Sequence, residues 1–320
     1  MQRRDFMAGV AAAAGGVWTE QAQAADALLK LEYPYAPGSG GDILARVLAD
    51  DLQKKLGLSA IVENKPGASG RIGVRDVAHA EPDGNTLLFT PFGTMVLFPT
   101  VFKNLPYDAF KDFRPVTQVV TYDFGLAVGP TSGAKTLAEL TAWLKKNPDK
   151  GNFSVPGLGA LPHLLPLKYA ADAGVKLNVV AYKGTAPALT AAMAGETAMV
   201  CAPLADLIAQ HKAGAIHLVA VSGRQRSPYL PDVPTFEEQG FKIQGSGWYG
   251  IFAPAKTPDA VVARLNKILT DAIHSESFQQ RARSVFLNPT GTTTAELGAI
   301  QKDDFERWAP VIRSAGLDAK

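Results

Sequence analysis

Apolar residues recur along this chain in two alternating rhythms. Short apolar runs at 29–35, 59–64 and 86–90 are separated by stretches with helical spacing. Ile43, Leu44, Val47, Leu48, Leu52 and Leu56 form a stripe on one face of a helix predicted over 42–56, with Asp42 suited to capping its start. A second helix is predicted over 71–79, and Pro82-Asp83-Gly84 marks the turn before the third run. Strands and helices alternating in this order predict a parallel sheet covered by helices. A second cycle begins near Val119, with strands expected at 125–128, 152–155, 179–181, 198–201 and 217–221. Its helices are expected at 137–146, 163–173, 185–193 and 204–211. Beyond Pro228, Pro231 and Pro234 comes one more strand at 248–253, then helices over 258–273, 277–285 and 295–312. Few strands remain for these helices, so they are expected to pack back on the first unit. The implied architecture is two α/β lobes crossed twice by the chain, near 121–122 and 246–248.

The length of 320 residues suits one large or two moderate domains. Hydrophobic residues at 47% and charged residues at 19% give a core-forming balance that excludes wholesale disorder. The net charge of +2 is a near-tie of 32 basic and 30 acidic residues, and no basic run exceeds two, so a nucleic-acid partner is not expected. The single Cys201 excludes an internal disulfide and a thiolate metal cluster, and it closes an apolar run as a buried thiol would. Residues 1–24 read as an export signal: Arg3-Arg4, an uncharged stretch over 6–18, then Ala22-Gln23-Ala24 as a cleavage site. The twin arginines suggest the twin-arginine route, with Gln2 where Ser or Thr is usual, and cleavage after about Ala24. The expected location is the periplasm.

Catalytic and metal signatures are missing. There is no G-x-S-x-G elbow, no Gly-Lys dipeptide for a phosphate loop and no H-E-x-x-H. The five histidines show no metal-ligand spacing. Gly245-Ser246-Gly247-Trp248-Tyr249-Gly250 matches G-x-G-x-x-G, but the glycines precede a strand instead of joining strand to helix, so a hinge or cleft wall is the better reading. No catalytic residue, metal or cofactor is expected.

Two glycine loops carry more information. Pro37-Gly38-Ser39-Gly40-Gly41-Asp42 and Val155-Pro156-Gly157-Leu158-Gly159-Ala160 each join a predicted strand to a predicted helix. Backbone N–H groups and the helix dipole make such a loop an anion site without Lys or Arg. The same glycines would equally serve a tight strand-to-helix turn.

Here the sequence resembles a family. Tyr35-Ala36-Pro37-Gly38-Ser39-Gly40-Gly41-Asp42-Ile43-Leu44-Ala45-Arg46 looks like the opening motif of the Bug-type receptors of tripartite tricarboxylate transporters. Matching motifs follow at Glu63-Asn64-Lys65-Pro66-Gly67-Ala68-Ser69-Gly70 and Pro82-Asp83-Gly84-Asn85-Thr86-Leu87-Leu88. Later ones are Tyr182-Lys183-Gly184-Thr185-Ala186-Pro187-Ala188, Leu230-Pro231-Asp232-Val233-Pro234-Thr235 and Trp248-Tyr249-Gly250-Ile251-Phe252-Ala253-Pro254. The resemblance implies a two-lobed periplasmic-binding-protein fold of flytrap type, each lobe a mainly parallel sheet flanked by helices. The lobes would be 25–121 plus 248–320 and 122–247. It implies a non-enzymatic, monomeric receptor that delivers a small carboxylate to two permease subunits. A ligand sensor feeding a histidine kinase would use the same site, and an exported hydrolase or isomerase would use Asp42 and His163.

Carried over position by position, the resemblance implies ligand contacts from Tyr35, Ser39, Gly40, Gly41 and Asp42, then from Ala68, Ser69 and Gly70, and from Thr90 and Thr94. In the second lobe it implies Ser154, Gly157, Gly159, Ala160, His163 and Ala202, with Trp248 as a cleft wall. Gly41 and Ala160 stand where Ser or Thr is common, Ala202 where an Asp is common, and Phe92 and Met95 are bulkier than usual. Lost polar groups point to an apolar or aromatic mono- or dicarboxylate in place of a hydroxylated tricarboxylate.

Overall fold

A computed structural model describes residues 28–318, so the expected export signal at 1–24 lies outside the described residues. The first unit opens with β1 (Leu29–Tyr33), α1 (Gly40–Leu56), β2 (Ala60–Asn64), α2 (Arg71–Ala78) and β3 (Thr86–Pro91). β2 and β3 pair in parallel with β1 on its two sides. Two short helices, α3 (Phe92–Val96) and α4 (Phe98–Val101), lead to β4 (Phe113–Tyr122). Sequence periodicity passes over β4, because Arg114, Pro115, Thr117 and Gln118 break its apolar run. Pro115 pairs with Phe252 beside a register shift, the irregular position a strand proline needs.

The second unit runs β5 (Phe124–Val128), α5 (Leu137–Lys146), β6 (Asn152–Val155), α6 (Leu161–Ala173), β7 (Asn178–Ala181), α7 (Thr185–Met193), β8 (Met199–Pro203), α8 (Leu204–Lys212) and β9 (His217–Val221). The chain then returns through β10 (Gly247–Pro254), α9 (Asp259–Ile273), α10 (Glu276–Ser284), the two-residue β11 (Asn288–Pro289) and α11 (Thr294–Ser314). β10 and β11 join the first sheet, whose order is β11-β4-β10-β3-β1-β2; the second is β7-β6-β8-β5-β9. The three C-terminal helices pack against the first sheet, as the shortage of strands predicts.

Parallel pairing holds within β2-β1-β3 and β7-β6-β8, but the crossing strands pair antiparallel, so the sheets are mixed rather than mainly parallel. Here the chain runs out along β4 and returns along its antiparallel neighbour β10.

That crossover sets which edges meet. β10 is antiparallel to both β3 and β4, so β4 points the same way as β1 and β3. Tyr122, its last residue, therefore lies at the edge from which the loops after β1, β2 and β3 emerge. Asp123 follows, and then Phe124 opens β5 opposite Pro203, the last residue of β8, which runs parallel to β6. The crossover joins the C-terminal edge of one set of parallel strands to that of the other.

One face of the first sheet buries Leu31, Leu87, Phe89 and Ile251 against Leu48 and Leu52 of α1 and Leu269 of α9. Its other face belongs to a core that continues into the second lobe through Trp248, Trp308, Leu165 and Tyr169. Removing a side chain such as Leu87 from so tight a core costs about 2–5 kcal/mol.

Candidate functional site

The cap of α1 is Ser39, not Asp42. The Ser39 hydroxyl accepts the Asp42 N–H at 3.4 Å and donates to the Tyr33 phenol at 3.1 Å. Asp42 sits one turn inside and is fully engaged. Its carboxylate accepts from the Gly38 N–H at 2.8 Å, from Arg46 at 3.1 and 3.0 Å and from Asn64 at 2.8 Å. Burial alone would raise this carboxyl, but Arg46, Gly38 and Asn64 together hold it below its ordinary value. Buried, ionised and saturated, Asp42 is unsuited to contact an anion; it holds the shape of the loop. The N–H groups of Gly40 and Gly41, first and second in the helix, have no intrahelical acceptor and stand at the positive end of the dipole.

Gly41 has no room for a side chain unless its neighbours shift. A Cβ would strike the Tyr33 phenol, and Tyr249 Cε1 at 2.6 Å. The space a side chain would need at this position is filled by that phenol, brought in from β1. Tyr33, itself buried, backs a wall of half-buried tyrosines: its ring centroid lies 5.5 Å from that of Tyr35, while Tyr249 stacks on Phe89 at 5.4 Å and meets Tyr122 at 5.8 Å. Burial pushes the phenols of Tyr33, Tyr35, Tyr122 and Tyr249 up, so each stays a neutral hydrogen-bonding group.

Trp248 does not join this wall. It is 1% exposed and its indole N–H donates to Asp304 of α11 at 3.0 Å. Neighbours on a strand face opposite sides, so the Trp248-Tyr249 pair gives its Tyr to the wall and its Trp to the core.

The loop after β2 turns through Ala68 (φ 47°), Ser69 (φ 59°) and Gly70 (φ 91°), and the first two are non-glycine residues held in the left-handed region. Backbone strain of this kind gathers at functional sites. Tyr35 packs so closely on Gly70 that a Cβ there would meet its ring at 2.9 Å. Arg71 opens α2 with its guanidinium 4.0 Å above Phe102 and its Nε donating to Ala68. Thr90 and Thr94 are buried and hydrogen-bond each other at 2.7 Å, and Thr94 donates to Pro91, so these hydroxyls serve the turn after β3. Phe92 and Met95 lie in the core.

In the second lobe, Gly157 and Gly159 sit in the loop between β6 and α6, with Gly159 at φ +77°. Ala160 occupies the cap position of α6 and supplies no side-chain cap. Pro162 in the first turn lacks an N–H, which that position tolerates. His163 is buried and its Nδ1 accepts the Gly159 N–H at 3.2 Å, so it holds the loop. Ser154 points into the lobe, donating to Ala188 at 2.8 Å and accepting from Thr197. Ala202 lies in the apolar core with Val200 and Leu204.

The loops after β1 and β2, the turn after β3 and the loop after β6 all leave the sheet edges that meet at the crossover. Among the described residues no group of three or more His, Cys, Asp or Glu is placed to hold a metal ion, and no helix is long and apolar enough to cross a membrane. What the arrangement offers is anion recognition by backbone N–H groups beside an aromatic wall.

Residues 44–317 match TctC, the tripartite tricarboxylate transporter family receptor. This chain belongs to that family. It is 32% identical over 305 residues (93% of this chain, 88% of the relative) to a UPF0065 protein of Agrobacterium vitis. The solved structure of the periplasmic binding protein BugD matches with a TM-score of 0.73 at 31% identity, covering 92% of this chain and 99% of that one. Rpa4515 of R. palustris, solved with adipate, matches with a TM-score of 0.78 at 27% identity, covering 92% and 98%. The chain is a receptor-type solute-binding protein with the two-lobed fold of these neighbours.

Sequence reasoning about this receptor missed Tyr33, Tyr122, Tyr249, Asn64 and Arg71. Asn64 clamps Asp42 from 22 positions away, and no local spacing signals that contact. Tyr249 stood beside a Trp in a strand, and nothing local says which of the two faces α1.

Proposed function

We propose that this receptor binds a small mono- or dicarboxylate with an apolar body in the gap between its lobes. One carboxylate docks on the Gly40 and Gly41 N–H groups, the apolar body lies on the tyrosine wall, and the 156–160 loop closes over it without turnover or cofactor. The lobes are 25–121 with 248–320 and 122–247, and they hinge at the two crossovers. The protein works as a monomer in the periplasm, exported by the twin-arginine route and cleaved after about Ala24, and presents its closed form to two permease subunits.

The observation that carries this reading is the unsubstituted start of α1, open at Gly40 and lined at Gly41 by Tyr33 and Tyr249. The adipate bound by a structural neighbour is a dicarboxylate with an apolar middle. Of the three polar losses that argue against a hydroxylated ligand, Ala202 is in the core and the space at Gly41 is filled by Tyr33. The preference therefore rests on the aromatic wall and on Ala160.

A calorimetric panel of adipate, benzoate and citrate tests it. Adipate or benzoate should bind at least about tenfold more tightly than citrate, a difference of about 1.4 kcal/mol. Tighter binding of citrate, or no carboxylate binding at all, would refute the proposal.

A further inference from the structure

A separate cavity of about 300 Å³ opens behind the crossover. Gln118, Asp303, Asp304 and Arg307 line it from the first lobe, Arg224 and Gln244 from the second. It lies away from the glycine loops: β10 and β3 separate β4, which carries Gln118, from β1.

Gln118 is 3% exposed. Its backbone is occupied: the N–H donates to Thr292 at 2.9 Å, and the carbonyl accepts from Thr290 and Gly291, each at 2.9 Å. The side-chain amide has no hydrogen-bond partner among the described residues. The amide is not sealed from solvent but opens onto the cavity, where water or an occupant satisfies it. The charges around it are similarly divided. Asp304 is engaged by Trp248 and, at 3.5 Å, by Arg307. Arg224 and Asp303, both exposed at the rim, have no ion-pair partner among the described residues. An anion would satisfy Arg224 and be repelled by Asp303, and a cation would do the reverse. A molecule carrying both charges satisfies both, with the Gln118 amide between them.

We propose that this cavity is an accessory site for a small zwitterion of the amino-acid class, its carboxylate on Arg224, its ammonium on Asp303 and its polar core on Gln118. Because Arg224 and Asp303 belong to different lobes and Ser246 of the crossover also lines the cavity, the occupant bridges the hinge from behind. The site is independent of the carboxylate cleft.

The indole N–H of Trp248, one of four tryptophans, reports on it from the cavity wall and is assigned through Trp248→Phe. The full-length protein, labelled with nitrogen-15, is titrated with glycine, L-alanine and 4-aminobutyrate to about 10 mM, ten times a weak affinity of ~1 mM. At least one should shift the Trp248 signal saturably, while acetate and ethylammonium bind at least about tenfold more weakly. Gln118→Leu should weaken the zwitterion by about tenfold. Arg224→Gln, at an exposed position, should do the same without touching the core. No saturable shift with any of the three, equal binding of acetate, or both variants binding like the unsubstituted protein overturns the proposal.

Discussion

Asp123 accepts a 2.6 Å hydrogen bond from the Ser246 hydroxyl, and these two residues stand on the two segments that cross between the lobes. Gly223 packs beneath the same carboxylate, where a Cβ would meet its oxygen at 2.7 Å. The bond ties the outgoing chain to the returning one at the point where any lobe motion must bend it.

Burial raises the Asp123 carboxyl and the Ser246 bond draws it partly back, so Ser246→Ala should raise it further. A carboxyl whose folded pKa lies above its unfolded 3.8 binds more protons when folded; its contribution is complete below that value and lost as pH rises through the folded pKa. Ser246→Ala should therefore cost about 1.5–3 kcal/mol at neutral pH and less near the unfolded value, as read by urea denaturation at the two pH values. An equal loss at both would show that the bond does not tune Asp123.

Gly41→Ser should damage the site despite restoring a hydroxyl common at this position in the resembling family. The new side chain meets the Tyr33 phenol and the Tyr249 ring. Overpacking of this kind costs about 1–3 kcal/mol. Thermal melting should fall and carboxylate affinity should drop by more than about tenfold. Unchanged melting and affinity would mean that the phenols move aside freely.

Asp42→Ala should unfasten the loop from Arg46 and Asn64. Because the folded carboxyl lies below its unfolded 3.8, its contribution is present above that pH and lost as pH falls through the folded value. The variant should be about 1.5–3 kcal/mol less stable at neutral pH, with the gap closing in acid. Denaturation curves at both pH values measure it, and a gap that persists in acid would assign the effect to packing.

Cys201 is enclosed in the second lobe, and burial pushes its thiol far above its ordinary range. A thiol-specific disulfide reagent should leave the folded protein unreacted and titrate the thiol once urea unfolds it. Rapid reaction in the folded state would contradict this burial.

Much of this architecture is legible locally. Apolar spacing marks α1, α9 and α11 because a helix in a two-layer domain must bury one face, and that requirement is written every three or four residues. The glycines at 38, 40 and 41 mark a loop for the same local reason, backbone conformation and close approach. β4 escapes, since Pro115 and its polar neighbours are tolerated only beside an irregular pairing with β10, some 135 positions later in the chain.

The sequence by itself determined the alternation of strand and helix, the return of the C-terminal helices to the first sheet and the two glycine-lined helix starts. The alternation and the glycine loops depend on residues close together in the chain, and the return of the helices follows from the few strands left for them to cover. Only the tertiary structure decided that Tyr249 and not Trp248 faces α1, that Ser154 and Ala202 turn inward, and that Asp42 is consumed by Arg46 and Asn64. A side chain's exposure is set by which distant strand or helix covers it, and that covering depends on pairings between residues tens to hundreds of positions apart.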